Sequence, residues 1–334
     1  MEENVKNSEG NSTGARAVVD VVIPTYRPGT ELRTLLLRLH LQSHAPRNIL
    51  LINTEEGAFD TTLVEGYSDV RVHHIPKAAF DHGGTRQMAL GLTDAEYVLF
   101  MTQDALPADK YLVERLVQAI SKPNVRIAYA RQLPQRDAGV IERYTRRFNY
   151  PPSSRKKVIE DLPELGIKTF FCSNVCALYE RDFLLELGGF AVPSIFNEDM
   201  VFAATALQAG AAIVYEADAR VLHSHNYSAR QQFHRNFDNG VSEAMHPEVF
   251  DGVPTAGEGA RLVSATFRHL VKTGHWLLVP KLVVHSAAKL TGFRLGKAYR
   301  HLPAFAVRAF TSNRSFWEAG HEETVREEFE KCLK

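Results

Sequence analysis

The chain has 334 residues, of which 45% are hydrophobic and 23% charged; this composition is typical of a globular protein and excludes a collagen-like, disulfide-rich or largely disordered chain. The 39 Lys and Arg residues balance 39 Asp and Glu residues, and the resulting zero net charge argues against a general nucleic-acid binder. At roughly 100–200 residues per domain, the length allows one large domain and an accessory segment. The polar residues 1–17 are predicted to form a flexible tail, because they lack the apolar run of a signal peptide.

Short apolar runs alternate with amphipathic stretches along the first two thirds of the chain. In chain order they predict strands at residues 18–23, 48–53, 70–75, 97–102 and 212–215, and helices at residues 31–41, 84–92, 110–120, 182–187 and 199–209. This alternation predicts a parallel sheet with crossover helices, in which ligands bind at the carboxyl ends of the strands. Residues 132–157 contain many Arg, Gln and Pro residues and are predicted to form a long surface loop.

The residue types that commonly bind transition metals are few. Three cysteines, Cys172, Cys176 and Cys332, are too few and odd in number for a disulfide framework, which favours a reducing cytoplasm. Cys172 and Cys176 lie four residues apart in an apolar run; on a strand they would share one face, and we expect buried thiols. His223 and His225 project to the same side of an extended stretch, so either can bind a metal, although one is more simply a hydrogen-bonded structural histidine.

The charge balance conceals a strongly basic segment. Residues 260–310 contain no Asp or Glu and nine basic residues, interleaved with aromatic side chains: Arg261, Arg268, Lys272, Lys281, Lys289, Arg294, Lys297, Arg300 and Arg308. No apolar run reaches the ~18–20 residues that a membrane span requires. We therefore predict that this segment docks on an anionic membrane surface. A solvated basic helical bundle is the alternative, and nucleic-acid binding is disfavoured because no known motif for it is present.

Polar residues follow two of the predicted strands. Pro24, Thr25 and Tyr26 come after the first strand, which Pro24 is expected to end, and the backbone there can turn around a ligand. Asp104 follows the apolar strand at 97–102, where a carboxylate can bind Mg²⁺ or Mn²⁺ together with substrate phosphates. The alternative for Asp104 is a helix cap, because Pro107 follows closely.

Two predicted helices begin with residues that can bind a phosphate or act as a general base. Gly83 and its glycine neighbour precede the helix at 84–92, and free N–H groups there attract phosphate. Arg86 can pair with a diphosphate and His82 with a base or sugar, although the same segment also describes a plain glycine turn. Glu198 and Asp199 begin the helix at 199–209, where one can act as a general base, although acids also favour helix N-termini for electrostatic reasons alone.

In this order, the features of residues 19–227 resemble a family 2 glycosyltransferase with the GT-A fold. The segments that carry the resemblance are VVIPTYRPGTELRTLL, LFMTQDALP, CSNVCALYERDFLLELGGF and FNEDMVFAATALQAG. The block from His82 to Arg86, the Gln-Asp-Ala sequence at 103–105 and the later GFRLGKAYRHLP are similar to the rhamnosyltransferase branch of that family. Enzymes of that branch typically move L-rhamnose from dTDP-β-L-rhamnose onto a growing polysaccharide or lipid-linked glycan.

The resemblance implies a fold and a nucleotide-binding edge. It implies an α/β GT-A domain at residues 18–256, with a Rossmann-like, mostly parallel central sheet flanked by helices, and a basic helical C-terminal extension at residues 257–334. Pro24, Thr25 and Tyr26 would border the nucleotide base. Asn53 and Glu55 would occupy the place where the family often has an Asp for the base or ribose.

The same resemblance implies a metal site. Gln103 and Asp104 stand where the family has its Asp-x-Asp motif, so one usual carboxylate is missing. Mg²⁺ or Mn²⁺ would then depend on Asp104, the diphosphate, and His223 or His225. Gln103 and Asp104 would both lie against the nucleotide sugar.

The chemistry implied is a single inverting displacement. Asp199, paired with Glu198, would take the proton of the acceptor hydroxyl, and Arg86 with the cation would stabilise the departing diphosphate. The alternatives are the same fold with another donor such as a UDP-hexose, and a non-catalytic, membrane-docked glycan-binding protein. A sugar nucleotidyltransferase is disfavoured, because no Gly-rich loop follows the first strand. We expect a cytoplasmic enzyme that associates peripherally with the inner face of the cell membrane and binds no nucleic acid.

Overall fold

The protein is described by a computed structural model for residues 16–253 and 257–332; residues 1–15 of the predicted tail lie outside the described residues. The strands are β1 Val19–Tyr26, β2 Asn48–Thr54, β3 Val70–Ile75, β4 Tyr97–Met101, β5 Leu106–Pro107, β6 Val125–Leu133, β7 Arg155–Lys157, β8 Cys176–Glu180 and β9 Ala212–Leu222. The helices are α1 Glu31–His40, α2 His82–Leu90, α3 Leu112–Ile120, α4 Val140–Asn149, α5 Leu162–Leu165, α6 Arg181–Glu186, α7 Glu198–Gln208, α8 Ala229–Met245, α9 Pro247–Phe250, α10 Glu258–Lys272, α11 Val279–Lys297, α12 Ala304–Phe310 and α13 His321–Cys332.

The described strands form one nine-stranded sheet in the order β3-β2-β1-β4-β8-β6-β9-β5, with β7 paired to β9. Strands β1 to β4 are parallel, as the alternation of strands and helices predicted. Beyond β4 the sheet is mixed, because β8 lies antiparallel between β4 and β6, whereas β6 and β9 are parallel. The carboxyl ends of β1, β2 and β4 therefore meet at one edge of the sheet.

Each face of the sheet is covered by helices. On one face, α1 and α3 bury the leucines at helical spacing that the sequence indicated, and Leu32, Leu35 and Leu36 are fully inaccessible. On the other face, α2, α6 and α7 pack against a cluster that contains Phe100 and Phe202. Burial of each such side chain contributes roughly 1.5–3 kcal/mol to the free energy of folding. The two helical layers therefore fix the positions of the strands and of their carboxyl ends.

The C-terminal extension is helical, as predicted. Helix α11 crosses α8 closely because both helices have glycines there: a Cβ atom at Gly292 or Gly296 would lie 2.3 or 2.0 Å from a backbone oxygen of α8. Further along, α13 packs against α2. The domain boundary at residue 257 stays a prediction. Among residues 16–253 and 257–332, no helix has both the length and the apolar character needed to cross a membrane.

The predicted loop at residues 132–157 is wrong, because β6 enters this stretch and is followed by α4 and β7. Helix α4 has Ile141, Tyr144 and Phe148 on one side at helical spacing, but none of its residues is buried, and the arginines between them favoured the loop prediction. The helix is stabilised by an internal pair, Arg146 with Glu142 at 2.7 Å, and by the ring of Tyr144, which stacks on His269 of α10 at 4.3 Å.

Two further local expectations need correction. Pro24 does not end β1, which pairs with β2 as far as Tyr26. Its pairing with β4 stops at Val22, and a proline is tolerated where a strand has a free edge. Cys172 and Cys176 are both buried free thiols, but only Cys176 lies on a strand, and the two pack on opposite sides of the sheet.

Candidate active site

The carboxyl ends of β1, β2 and β4 are joined by side-chain hydrogen bonds. The Tyr26 backbone N–H donates to Gln103 Oε1 at 2.9 Å, and Gln103 Nε2 donates to the Tyr26 carbonyl at 3.3 Å. Beneath them, the Thr25 hydroxyl donates to Asn53 Oδ1 at 3.1 Å, and both residues are buried. The structure thus brings Pro24, Thr25, Tyr26, Asn53 and Gln103 to one edge, with only Tyr26 and Gln103 forming its outer layer.

Charged groups surround the exposed ring of Tyr26. The guanidinium of Arg27 lies 5.1 Å and the ammonium of Lys77 5.5 Å from its centroid. Glu55 is at the same edge, where it pairs with Arg27 at 3.2 Å. Arg27 and Glu55 both have a positive φ, a strained conformation for residues other than glycine that occurs preferentially at functional sites. This edge therefore presents an aromatic ring and two cations to a ligand.

Asp104, His223 and His225 converge next to that edge. Their ligating atoms lie within 4.8 Å of one another, with the Nε2 atoms of His225 and His223 at 3.1 and 3.5 Å from Asp104 Oδ2. Burial alone would raise the pKa of Asp104, but the two adjacent histidines outweigh it and hold the pKa well below its usual value. Asp104 is not a helix cap, since α3 begins at Leu112. A carboxylate and two imidazoles are a chemically suitable donor set for a divalent metal ion.

Helix α2 starts two residues earlier than predicted. Asp81 caps it by accepting the Gly84 N–H at 2.7 Å, so the expected free phosphate-binding N–H of Gly84 is already used. The His82 N–H donates to the Ser194 carbonyl. Gly83 serves close packing, because a Cβ atom there would lie 2.0 Å from the Ala191 carbonyl oxygen. Gly83 therefore lets α2 approach the segment before Glu198, and Gly84 lets it approach Val325 of α13, rather than a diphosphate.

Arg86 points from α2 to the acid pair and not to an open surface. Its Nη1 lies 3.1 Å from Glu198 Oε1, and both side chains are nearly inaccessible, at 5% and 6% exposure. The same Glu198 oxygen accepts from Asn174 Nδ2 at 3.0 Å. Burial has the largest single effect and raises the pKa of Glu198, but the positive charge of Arg86, the influence of His82 and the hydrogen bond from Asn174 together outweigh burial, and the net shift is downward. Glu198 is thereby held ionised.

Asp199 is placed beside Glu198 with two fixed hydrogen bonds. Its carboxylate accepts the backbone N–H groups of Asn174 and Met200 at 2.9 and 2.8 Å. Burial and the adjacent charge of Glu198 raise the pKa of Asp199 to about 7, against the opposing effect of these N–H groups. Asn197, which precedes the pair, is left-handed at φ 61°, so the helix start is sharply turned. A carboxylate with this pKa can accept a proton efficiently near neutral pH.

A cation without a carboxylate partner lies between the acid pair and the histidines. The guanidinium of Arg235, on α8, is 4.5 Å from the Phe196 ring and 5.7 Å from the Tyr227 ring. The Tyr227 ring stacks on His225, and the Phe196 ring meets His82 edge to face. No carboxylate in the described part of the chain pairs with Arg235. Its position suits an anionic ligand that reaches from the acid pair to the two histidines.

Sequence reasoning missed two residues of this site, Asn174 and Arg235, and also Gln132, whose Oε1 lies 2.9 Å from His223 Nδ1. Gln132 fell inside the predicted loop, and Arg235 followed the last motif with no pattern of its own. Asn174 did leave a signal, because it is a lone amide inside an apolar run, and a buried amide requires hydrogen-bond partners.

Comparisons with known proteins agree with this architecture. A family model described as glycosyl transferase family 2 matches residues 20–188. The O-antigen chain rhamnosyltransferase RfbN of Salmonella typhimurium is 36% identical over 303 residues, which is 90% of this chain and 96% of RfbN. The O-antigen chain rhamnosyltransferase WbaN of Salmonella anatum is 35% identical over 302 residues, 89% of this chain and 95% of WbaN.

Two solved structures share the fold at low sequence identity. The mannosyltransferase PcManGT from Pyrobaculum calidifontis, in complex with GDP-Man and Mn²⁺, matches with a TM-score of 0.53 and 15% identity over 96% of this chain and 88% of that chain. TarS of S. aureus, residues 1–349 in complex with UDP-GlcNAc, matches with a TM-score of 0.51 and 15% identity over 85% of this chain and 92% of that chain. The predicted GT-A fold is confirmed.

Proposed function

The chain belongs to glycosyl transferase family 2, and from that premise we propose that it is an inverting rhamnosyltransferase that uses dTDP-β-L-rhamnose. The acceptor is a growing polysaccharide or a lipid-linked glycan. Two relatives named O-antigen chain rhamnosyltransferases, aligned over nearly the whole of their lengths, support rhamnosyl transfer. The observation that carries the mechanism is the buried acid pair, in which one carboxylate is kept charged and its neighbour titrates near pH 7.

Asp199 acts as the general base. Its carboxylate takes the proton of the acceptor hydroxyl as that oxygen attacks the anomeric carbon from the face opposite the nucleotide. The bond from the anomeric carbon to the diphosphate oxygen breaks in the same step, so the configuration inverts once. Glu198 does not share the proton, because its ion pair with Arg86 and its hydrogen bond from Asn174 keep it ionised. Glu198 is therefore the partner that tunes and orients Asp199.

The nucleotide lies along the edge formed by β1, β2 and β4. Tyr26 and Gln103 border the base, and the buried Thr25 and Asn53 support this layer from below. Glu55 reaches the ribose from the end of β2. Pro24 keeps the chain extended up to that contact, because its φ is fixed by the ring.

Asp104, His223 and His225 would hold the divalent ion. Two imidazole nitrogens in the donor set favour Mn²⁺ over Mg²⁺, since Mg²⁺ is bound almost entirely through oxygen. When bound, the ion would neutralise negative charge on the diphosphate. Within residues 16–253 and 257–332 the donor set comprises three protein ligands, which would leave room for substrate oxygens.

Arg235 replaces Arg86 in the stabilisation of the leaving diphosphate. Arg86 is paired with Glu198, whereas Arg235 has no carboxylate partner among residues 16–253 and 257–332. Arg235 lies between the Phe196 ring, which contacts His82, and the Tyr227 ring, which contacts His225. Its guanidinium is fixed by two aromatic rings, so little rotational freedom is lost when it meets an anion. A donor that is already oriented toward the developing charge is worth several kcal/mol in the transition state.

The helical hairpin formed by α10 and α11 docks on the inner face of the cell membrane. Its tip exposes Trp276 and Leu277, at 63% and 73%, and both arms carry exposed cations, among them Lys272 and Lys281. Aromatic and aliphatic side chains next to lysines are the combination that binds an anionic lipid interface. Docking there would place the enzyme on the cytoplasmic side, beside a lipid-linked acceptor.

A donor panel tests the function. The full chain, with Mn²⁺ and a lipid-linked glycan acceptor, is offered dTDP-β-L-rhamnose, UDP-glucose and GDP-mannose, and release of nucleoside diphosphate is measured. We expect turnover with dTDP-β-L-rhamnose and its loss in Asp199→Asn. Turnover with UDP-glucose alone would refute the rhamnose assignment, and full turnover by Asp199→Asn would remove Asp199 as the base.

A further inference from the structure

Gln132 is a buried amide that touches the metal-binding side of the site without belonging to it. It lies near the end of the pairing between β6 and β9, is 2% exposed, and contacts three side chains. Its Oε1 faces His223 Nδ1 at 2.9 Å and the guanidinium of Arg146, and its Nε2 donates to the Ser173 hydroxyl at 3.0 Å. The amide oxygen and the amide nitrogen of Gln132 thus both contact side chains.

Arg146 decides which way the Gln132 amide points. A guanidinium carries only donors, so the atom of Gln132 that faces it must be the carbonyl oxygen. The nitrogen then faces Ser173, whose hydroxyl can accept. Arg146 is itself held by Glu142 of the same helix, with Nε donating to the carboxylate at 2.7 Å. The orientation of the amide therefore follows from α4, the helix that sequence reasoning missed.

The amide in turn decides the tautomer of His223. An oxygen that accepts from Arg146 can only accept from His223 as well, so Nδ1 of His223 must carry the hydrogen. In the neutral ring, Nε2 then has its lone pair, and this is the atom directed at Asp104 and His225. A histidine whose distal nitrogen is fixed in this way presents its ligating nitrogen in the correct form and orientation.

His225 lacks such a constraint. Its ring stacks on Tyr227 at 4.8 Å, and its two polar contacts in the described part of the chain, with His223 Nε2 and with Asp104 Oδ2, both use Nε2 and leave Nδ1 unconstrained. His225 can therefore exchange tautomers when an ion enters, whereas His223 is set beforehand. We propose that Gln132, oriented by Arg146, is a positioning residue that presets His223 as a ligand for the divalent ion.

The proposal rests on the metal site proposed above. Its test is the affinity of the protein for Mn²⁺, measured with and without dTDP from the electron paramagnetic resonance signal of the free ion. Gln132→Leu removes the acceptor at nearly constant volume, and we expect the Mn²⁺ affinity to fall about 10–100-fold. Gln132→Glu retains an oxygen for both His223 and Arg146, and its affinity should stay close to that of the unsubstituted protein. The matched control is Ser173→Ala, which removes only the contact at the other end of the amide.

The outcomes separate this inference from the proposed function. If Asp104→Asn and His225→Gln lose Mn²⁺ while Gln132→Leu keeps it, the metal site stands and the role of Gln132 is refuted. If Asp104→Asn binds Mn²⁺ normally, the metal site and this inference are both wrong. A measurement on the unsubstituted protein avoids any folding defect: the ¹⁵N shifts of the His223 ring, assigned by their loss in His223→Gln, should report hydrogen on Nδ1. Hydrogen on Nε2 would overturn the proposal.

Discussion

The pH dependence of kcat is the most direct test of the acid pair, and substituting Glu198 by Gln is the perturbation to use. With its pKa raised to about 7, Asp199 is about half ionised at pH 7 and about one tenth ionised at pH 6. A base must be ionised to act, so kcat should fall about tenfold per pH unit below pH 7 and level off above it. An exposed Asp, with a pKa near 3.9, would show no fall in this range.

Glu198→Gln should move this acid limb to lower pH. The substitution removes the negative charge that raises the pKa of Asp199 and leaves Arg86, whose positive charge lowers it, so both effects have the same sign. A neighbouring charge shifts a pKa by about 1–3 units, and one unit corresponds to 1.36 kcal/mol. With a shift of about one unit, the rate at pH 6 rises from about a tenth to about half of the plateau value.

Other groups near Asp199 do not account for such a limb. Burial raises the pKa of Cys172 and of Tyr150 to about 12 and raises that of Tyr179 well above its usual value, so all three stay neutral below pH 9. Burial lowers the pKa of His82 below its usual value, which moves the titration of this imidazole away from pH 7. The assay is kcat at saturating donor between pH 5 and 9, normalised to each plateau. The control is Asp199→Asn, whose residual turnover, if measurable above background, should show no limb. An unchanged limb in Glu198→Gln would refute the reasoning.

Three further predictions follow from single contacts. Arg235→Gln should lower kcat about 10²–10³-fold, with Arg235→Lys intermediate and Mn²⁺ affinity unchanged, as measured by diphosphate release and metal titration; an unchanged kcat would exclude its role. Gly296→Ala should cost about 1–3 kcal/mol of unfolding free energy in a urea titration, because the added methyl meets the Phe237 carbonyl oxygen; an unaltered midpoint would contradict the close crossing. Trp276→Ser combined with Leu277→Ser should weaken binding to phosphatidylglycerol vesicles about tenfold or more in a sedimentation assay.

Hydrophobic periodicity predicted the first four strands and α1, because these elements bury their apolar residues in the sheet and its covering layer. The site was predictable where polar residues follow those strands, since parallel strands bring their carboxyl ends together whatever their separation in sequence. Asp104 and the two histidines meet for this reason across more than a hundred residues. The same argument could not show that Thr25 and Asn53 point inward.

What the sequence could not show is which charges are already paired. Arg86 looks like a free cation beside two glycines, yet the structure buries it against Glu198, and Arg235, without a motif, is the cation that is left over. Burial of a charge depends on partners that are distant in sequence. Helix α4 escaped prediction for a related reason: none of its residues is buried, and it is held by ring stacking on α10 and by a hydrogen bond from Arg146 to Gln132 of β6, which the sequence does not show.

The geometry also decides how membrane docking has to be tested. Removing residues 260–310 would delete α11, expose the face of α8 around Gly240 and Phe237, and break the chain connection to α13, which packs on α2. Lost vesicle binding in such a truncation would report unfolding as readily as docking. Substitution of Trp276 and Leu277 avoids this, because both side chains are mostly exposed and lie outside the glycine crossing. If the doubly substituted protein keeps its unfolding free energy and its activity on a detergent-solubilised acceptor but binds vesicles as tightly as before, the hairpin tip is not the docking surface.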